Sequence, residues 1–156
     1  MRVQLSELDF TGQNLFVGID VHLKSWSVAI LSDHSVLKKF RQNPDAAALY
    51  KFLSVNYPKA HYHSVYEAGF CGFWIHHQLV GLGIDNIVVN AADVPTMSKE
   101  KLRKTDAVDC SKLARELRSG TLKGIYVPCV ETLETRSLIR LRKSIVKDST
   151  REKNRN

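Results

Sequence analysis

The stretch Leu15–Val21, LFVGIDV, decides how the rest of the sequence is interpreted. It is apolar almost throughout, which is typical of a strand with both faces buried in an α/β sheet. Asp20 is the exception, and a buried carboxylate is costly unless it is paired or bound to a cation. By strand alternation Asp20 shares a face with Phe16 and Gly18, so Gly18 is expected to leave open space there for an ion or a phosphate. The alternative is an Asp at the strand exit that caps the next turn.

The rest of the chain alternates short apolar segments with helical patterns. Strands are predicted over 26–31 and 36–42, close enough to the first strand for an antiparallel meander. The later predicted elements are a helix from 43–45 to about 55 with Asn43 as its cap, a strand at 62–67, a helix at 73–80, a strand at 85–90, a helix that Thr105 caps and that runs to Arg118, a short strand at 124–127 and a long helix from Glu131. This order indicates a mixed α/β sheet with crossover helices. The ribonuclease-H-like fold has it, as do other folds.

The distribution of charge points to a polyanionic partner. The net charge is +7 over 156 residues. Residues 1–98 hold 7 Lys and Arg against 8 Asp and Glu, whereas residues 99–156 hold 16 against 8. The excess positive charge therefore lies in the last third of the chain, where it indicates either contact with nucleic-acid phosphates or a solvated helix face. The candidate contacts are Lys99, Lys101, Arg103, Lys104, Arg140, Arg142, Lys143 and Lys147.

The cysteines and the apolar runs indicate a cytoplasmic protein without a membrane span. The three cysteines are few and widely spaced, which argues against a disulfide framework and against a zinc site. The apolar runs are far shorter than the roughly 20 residues of a membrane helix. No secretory signal is recognisable at the N-terminus.

Three further carboxylates occupy positions where a carboxylate is costly or unusually placed. Glu67 ends the predicted strand 62–67, where it either joins Asp20 at one edge of the sheet or is simply exposed. Asp106 and Asp109 lie three residues apart on a predicted helix and so share a face. That face is the apolar one, because the helical positions of Leu113 and its apolar neighbours fall beside the two carboxylates.

Four converging carboxylates would repel one another unless a divalent cation held them together. Ligand sets made only of oxygen suit Mg²⁺ or Mn²⁺. Two such ions about 4 Å apart can stabilise the attacking and the leaving oxygens of a phosphodiester displacement. The sequence therefore predicts a two-metal site at Asp20, Glu67, Asp106 and Asp109.

Several segments resemble the IS110 family of transposases. They are Val17–Lys24, Glu67–Gly69, Lys104–Asp109 followed by Leu113 and Ala114, Gly120–Leu122 with Tyr126–Pro128, and Arg136–Lys153. The similarity extends over about residues 15–155. The Lys-Thr-Asp-x-x-Asp spacing at 104–109 is the most specific of these motifs.

The resemblance implies a RuvC-like domain of the ribonuclease H superfamily over residues 1–130. It also implies that the family's Asp-Glu-Asp-Asp tetrad falls on the four carboxylates named above. Residues 131–156 would then begin a long basic connecting helix, truncated before a second domain that carries a proposed serine nucleophile. Family members recombine DNA as homo-oligomers and use a guide RNA encoded by the element.

Three other functions compete with a metal-dependent DNA recombinase. A nuclease acting on Holliday junctions is a close variant, and a non-catalytic module for nucleic-acid binding or assembly is the second. An actin-like or sugar-kinase-like ATPase is disfavoured, because those folds need glycines after the first Asp. Here Val21, His22 and Leu23 follow it.

Overall fold

A computed structural model describes residues 9–95 and 106–154 of the chain, without the side chains of 106–108. The elements follow the predicted order: β1 (Asn14–Val21), β2 (Trp26–Leu31), β3 (Val36–Gln42), α1 (Ala46–Asn56), β4 (His61–Glu67), α2 (Trp74–Gly81), β5 (Asp85–Val89), α3 (Asp106–Ser119) and α4 (Val130–Lys153). A short 3-10 helix, Ala91–Asp93, follows β5. The chain divides into two compact units, Met1–Ile125 and Tyr126–Asn156.

The first unit is built on one five-stranded sheet of order β3-β2-β1-β4-β5. The strands β1, β2 and β3 form an antiparallel meander, and β4 runs parallel to both β1 and β5. The predicted mixed sheet with flanking helices is therefore confirmed. The apolar strand β1 lies at the centre of this sheet, as its nearly continuous hydrophobic sequence requires.

The two faces of the sheet are covered by different helices. On one face Phe40 of β3 packs on Phe52 of α1, with the ring centroids 4.6 Å apart. The neighbouring helix α2 covers the same face, where Asn86 of β5 contacts His76 at 2.9 Å. On the opposite face α3 packs over β1 and β2, and its buried Cys110 and Ala114 cluster with residues of β2.

Gly18 lets the backbone of α3 approach β1 directly. A Cβ atom at this position would lie 2.6 Å from the backbone nitrogen of Ala114 and 3.1 Å from the Ala114 Cβ, and would also meet the carbonyl oxygen of Cys110. The prediction that Gly18 leaves open space is therefore wrong, because α3 fills the space over Gly18. Only a residue without a side chain allows this approach.

The N-terminus of α1 differs from the prediction. Asp45, not Asn43, is the capping residue, and its carboxylate accepts hydrogen bonds from the backbone nitrogens of Ala47 and Ala48 at 2.8 and 3.2 Å. Asp45 has the extended backbone of a capping residue (φ −142°, ψ 113°), so the helix itself begins at Ala46, two residues after Pro44.

The end of α3 follows the prediction, but the segment after it does not. Gly120 ends α3 with φ +72°, and its backbone nitrogen donates to the carbonyl oxygen of Leu117. Glycine is favoured here because it readily adopts the left-handed backbone conformation that ends many α-helices. Residues 124–127 form no strand, although the Ile125 nitrogen donates to the carbonyl oxygen of Val88 at 2.8 Å. Gly124 and Pro128 bound this segment, and both residues disfavour a regular strand ladder.

The second unit is dominated by the 24-residue helix α4, which confirms the predicted long C-terminal helix. Its side chains are exposed or only half-buried. Across the described part of the chain, no helix is long and apolar enough to cross a membrane.

Candidate metal centre

Asp20 and Glu67 end two neighbouring parallel strands. The register of β1 with β4 pairs Gly18 with Val65 and Ile19 with Tyr66. One further step along this register brings Asp20 beside Glu67 on the same face, with the strands about 4.8 Å apart. The strand order thus brings together two carboxylates that are 47 positions apart in the sequence.

The carboxylate of Asp20 is partly shielded from solvent and held by a histidine. Its side chain is 22% exposed, and Oδ2 lies 3.1 Å from Nε2 of His22. His22 belongs to the turn between β1 and β2, which is closed by a hydrogen bond from its own backbone nitrogen to the Ser25 carbonyl oxygen. The contact of His22 with Asp20 depends on how tightly this turn closes, so the sequence alone does not reveal it.

The third carboxylate is brought to the same place by α3. Asp109 is half-buried and lies beside the buried Cys110 and Leu113, at the border of the helix face that packs on the sheet. Asp106 is the first residue of α3, one turn earlier, and its side chain lies outside the described residues. Thr105, the predicted cap of this helix, also lies outside them.

A cavity of about 140 Å³ joins these carboxylates. Asp20, Glu67 and Asp109 all line it, together with Ile19, Val21, Ala68, Gly69, Phe70, Cys71 and Leu113. Within the described side chains, which do not include that of Asp106, no three His, Cys, Asp or Glu residues form a ready metal-ligand cluster. The three carboxylates therefore line one cavity, but they are not close enough together to ligate a single ion.

The chemistry of the cavity fits a hard divalent cation. Its three acidic side chains offer only oxygen donors, which Mg²⁺ and Mn²⁺ prefer. Burial raises the pKa of the Cys71 thiol and that of the nearby Cys110 thiol. The thiols therefore stay neutral at ordinary pH, so the negative charge at the cavity comes from carboxylates.

An apolar groove of about 230 Å³ adjoins this cavity and shares Val21, Phe70 and Cys71 with it. Trp74 lines the groove and is 47% exposed, whereas Trp26 lines it and is fully buried. The burial of a residue such as Trp74 in the first turn of a short helix depends on the neighbouring loop, which periodicity does not reveal.

The predicted phosphate contacts fall into two groups. Lys99, Lys101, Arg103 and Lys104 lie outside the described residues. The other four lie on α4 and are exposed, and these are Arg140, Arg142, Lys143 and Lys147. Exposure alone does not test whether they contact DNA phosphates, so this role stays a prediction.

The fold resembles that of RuvC. The chain of a solved structure of Thermus thermophilus RuvC in complex with a Holliday junction substrate superposes with a TM-score of 0.50 and 12% identity, over 71% of this chain and 99% of that one. The first unit therefore has a RuvC-like, ribonuclease-H-like fold.

The sequence comparisons identify the family. The sequence model of the DEDD transposases of the IS110 type, described as "Transposase", matches residues 17–156. The transposase for insertion sequence element IS1533 of Leptospira borgpetersenii is 30% identical over 148 residues, which cover 92% of this chain and 42% of that protein. The putative transposase y4rJ of Sinorhizobium fredii is 34% identical over 97 residues, or 58% of this chain and 24% of that protein. The chain belongs to the IS110 family of transposases, and it spans less than half the length of these relatives.

Proposed function

We propose that this chain is the catalytic domain of a DNA transposase that cleaves phosphodiester bonds and transfers strands with divalent metal ions. The observation that carries the proposal is the meeting of Asp20, Glu67 and Asp109, from β1, β4 and α3, at one cavity. Each comes from a different element, so no local sequence preference explains why they share it. The resemblance of the fold to RuvC and the membership in a transposase family support the same reading.

Asp20, Glu67, Asp106 and Asp109 would hold the cations in this proposal. Mg²⁺ or Mn²⁺, two ions in the complete site, would activate the attacking oxygen and stabilise the leaving oxygen at phosphorus. The carboxylates of the chain would orient these ions, and Asp20 would do so from β1, the central strand of the sheet. The histidine contact at Asp20 fixes the direction of that carboxylate.

Charge repulsion accounts for carboxylates that line one cavity without forming a tight ligand cluster. Like charges that are not neutralised repel, so the carboxylates are expected to close around the cations only when these bind. Asp106 would complete the set, since it lies one turn before Asp109 on α3.

The partner in this proposal is DNA, whose backbone the basic last third of the chain would contact. Use of a guide RNA and assembly into homo-oligomers stay predictions of the family resemblance. Because the chain spans less than half the length of its relatives, strand transfer is proposed for the whole protein and metal binding for this domain.

Calorimetric titration of Mn²⁺ tests the metal site. We expect the wild-type chain to bind Mn²⁺, and Asp109→Asn and Asp106→Ala each to weaken binding at least about tenfold, because each removes an anionic ligand. Asp33→Asn is the matched control, since Asp33 is an exposed carboxylate in the β2–β3 turn, at the other end of β2 from Asp20.

The outcomes separate catalysis from simple binding. A wild-type chain that binds no Mn²⁺, either alone or with branched DNA, would contradict the metal-dependent mechanism. If that chain still bound DNA in a salt-dependent way, the non-catalytic binding module would become the better description.

A further inference from the structure

The edge strand β3 carries two cations on the face of the sheet where the carboxylates lie. Asp20 pairs with Ser27 of β2, and Ser27 pairs with Arg41 of β3. Residues that pair directly across strands point to the same face, so Arg41 lies in one row with Asp20. Lys39 lies two residues before Arg41 and points to the same face. It pairs with Ala29 of β2, which in turn pairs with Gly18 of β1.

The opposite face of β3 confirms this orientation. Phe40 packs against Phe52, and the Nζ of Lys38 lies 5.2 Å from the centroid of that ring. Lys38 and Phe40 therefore point toward α1, and the alternation of the strand directs Lys39 and Arg41 the other way.

Both cations are exposed, although they flank a helix and the acidic cavity. Their Cα atoms are about 6.8 Å apart along the strand, and Arg41 is about 10 Å from Asp20 across two strand spacings. Asp20 lies at the cavity. A DNA strand that reached the cavity with one phosphate could therefore place its neighbouring phosphates over β3. Lys39 and Arg41 together are called the β3 basic strip below.

We infer that the β3 basic strip binds the phosphodiester backbone of the DNA strand that enters the carboxylate cavity. This inference rests on the proposed function and adds a substrate-binding surface to it. The strip contacts phosphates and not bases, so it positions the DNA without reading its sequence. β3 itself holds Lys38, Lys39 and Arg41 and no acidic residue, but residues 1–98 as a whole hold more acidic than basic residues, so the distribution of charge predicted DNA contacts only after residue 98.

Fluorescence anisotropy with labelled branched DNA tests the inference on the full 156-residue chain. The test variant is Lys39→Ala/Arg41→Ala. The matched control, Lys38→Ala/Lys51→Ala, removes the same charge from the opposite face and from α1, where both lysines are exposed. A swapped variant, Lys39→Arg/Arg41→Lys, keeps both charges and should bind like the wild type.

The expected loss follows from counterion release. Each phosphate contact to duplex DNA contributes about 0.9 to the slope of log affinity against log salt concentration. Losing two contacts should reduce that slope by roughly 1.8 and weaken binding roughly 10- to 60-fold near 0.1 M salt. The control variant should lose much less, because its lysines lie away from the cavity.

Every other outcome overturns the inference. Unchanged affinity in the test variant, equal loss in the control, or a wild-type chain that does not bind DNA would each do so. Unchanged DNA affinity with Mn²⁺ bound tenfold more tightly would assign Lys39 and Arg41 to balancing the charge of the carboxylates instead. The calorimetry of Asp109→Asn stays independent of these results, so the proposed function can stand when the inference about the strip fails.

Discussion

The substitution Gly18→Ala tests whether the position of α3 depends on a missing side chain. The new Cβ would lie 2.6 Å from the Ala114 nitrogen, whereas ordinary contacts begin at 3.4 Å. The atoms it meets include the backbone nitrogen and the Cys110 carbonyl oxygen, which cannot turn away as a flexible side chain can. Either α3 moves outward by roughly 0.8 Å or more, or β1 is displaced from the centre of the sheet.

The expected cost is large for one methyl group. Overpacking a core costs about 1–3 kcal/mol, and a clash with backbone belongs at the upper end of that range. For a domain of this size, about 3 kcal/mol corresponds to a fall of roughly 10 °C in the melting temperature. Because Asp109 precedes Cys110, the same displacement should weaken Mn²⁺ binding.

Thermal unfolding followed by circular dichroism measures this effect. Gly81→Ala is the control, because a Cβ there meets nothing within 4 Å and Gly81 lies at the end of α2. Alanine in a helix is more favourable than glycine, so the control should be unchanged or up to about 1 kcal/mol more stable. A Gly18→Ala variant that melts within about 2 °C of the wild type would refute the close approach of α3 to β1.

Two further substitutions test local features of the fold. Asp45→Ala should destabilise the protein by about 1 kcal/mol in denaturant unfolding, because it removes the acceptor at the start of α1; an unchanged midpoint would mean that the cap contributes nothing. Burial, and then the neighbouring His77, lower the pKa of His76, whose Nδ1 accepts from Asn86. The unfolded chain therefore takes up more protons below about pH 6.5, so stability should fall as pH drops through that value. His76→Gln should flatten this dependence of the melting temperature between pH 8 and pH 5.5, and an equally steep curve would contradict the assignment.

Much of the fold follows from local patterns that a single sequence contains. The apolar run at 15–21 identifies the central strand, and the short spacings after it indicate the meander. The shared edge of Asp20 and Glu67 follows from the parallel alignment of two such strands. The position of Asp109 beside the apolar face of α3 follows from helical spacing. These features were predictable because each depends on periodicity within one element and on general rules of sheet topology.

The remaining features depend on contacts between distant segments. Gly18 packs directly against a helix about ninety positions later in the chain. Nothing in the sequence near Gly18 shows that a helix, and not an ion, occupies the space left by its missing side chain. Asn43 and Asp45 are both good caps on either side of Pro44, and only the start of the helix decides between them. The face on which Lys39 and Arg41 lie is fixed by the packing of Phe40 on Phe52, which belongs to another element.

Anomalous scattering can locate Mn²⁺ in crystals of the chain grown with Mn²⁺ and DNA, which tests the metal site directly. A metal-dependent mechanism predicts anomalous density at the cavity, within about 2.0–2.5 Å of carboxylate oxygens of Asp20, Glu67 and Asp109. Mn²⁺ found only at other carboxylates, with that cavity empty, would contradict it.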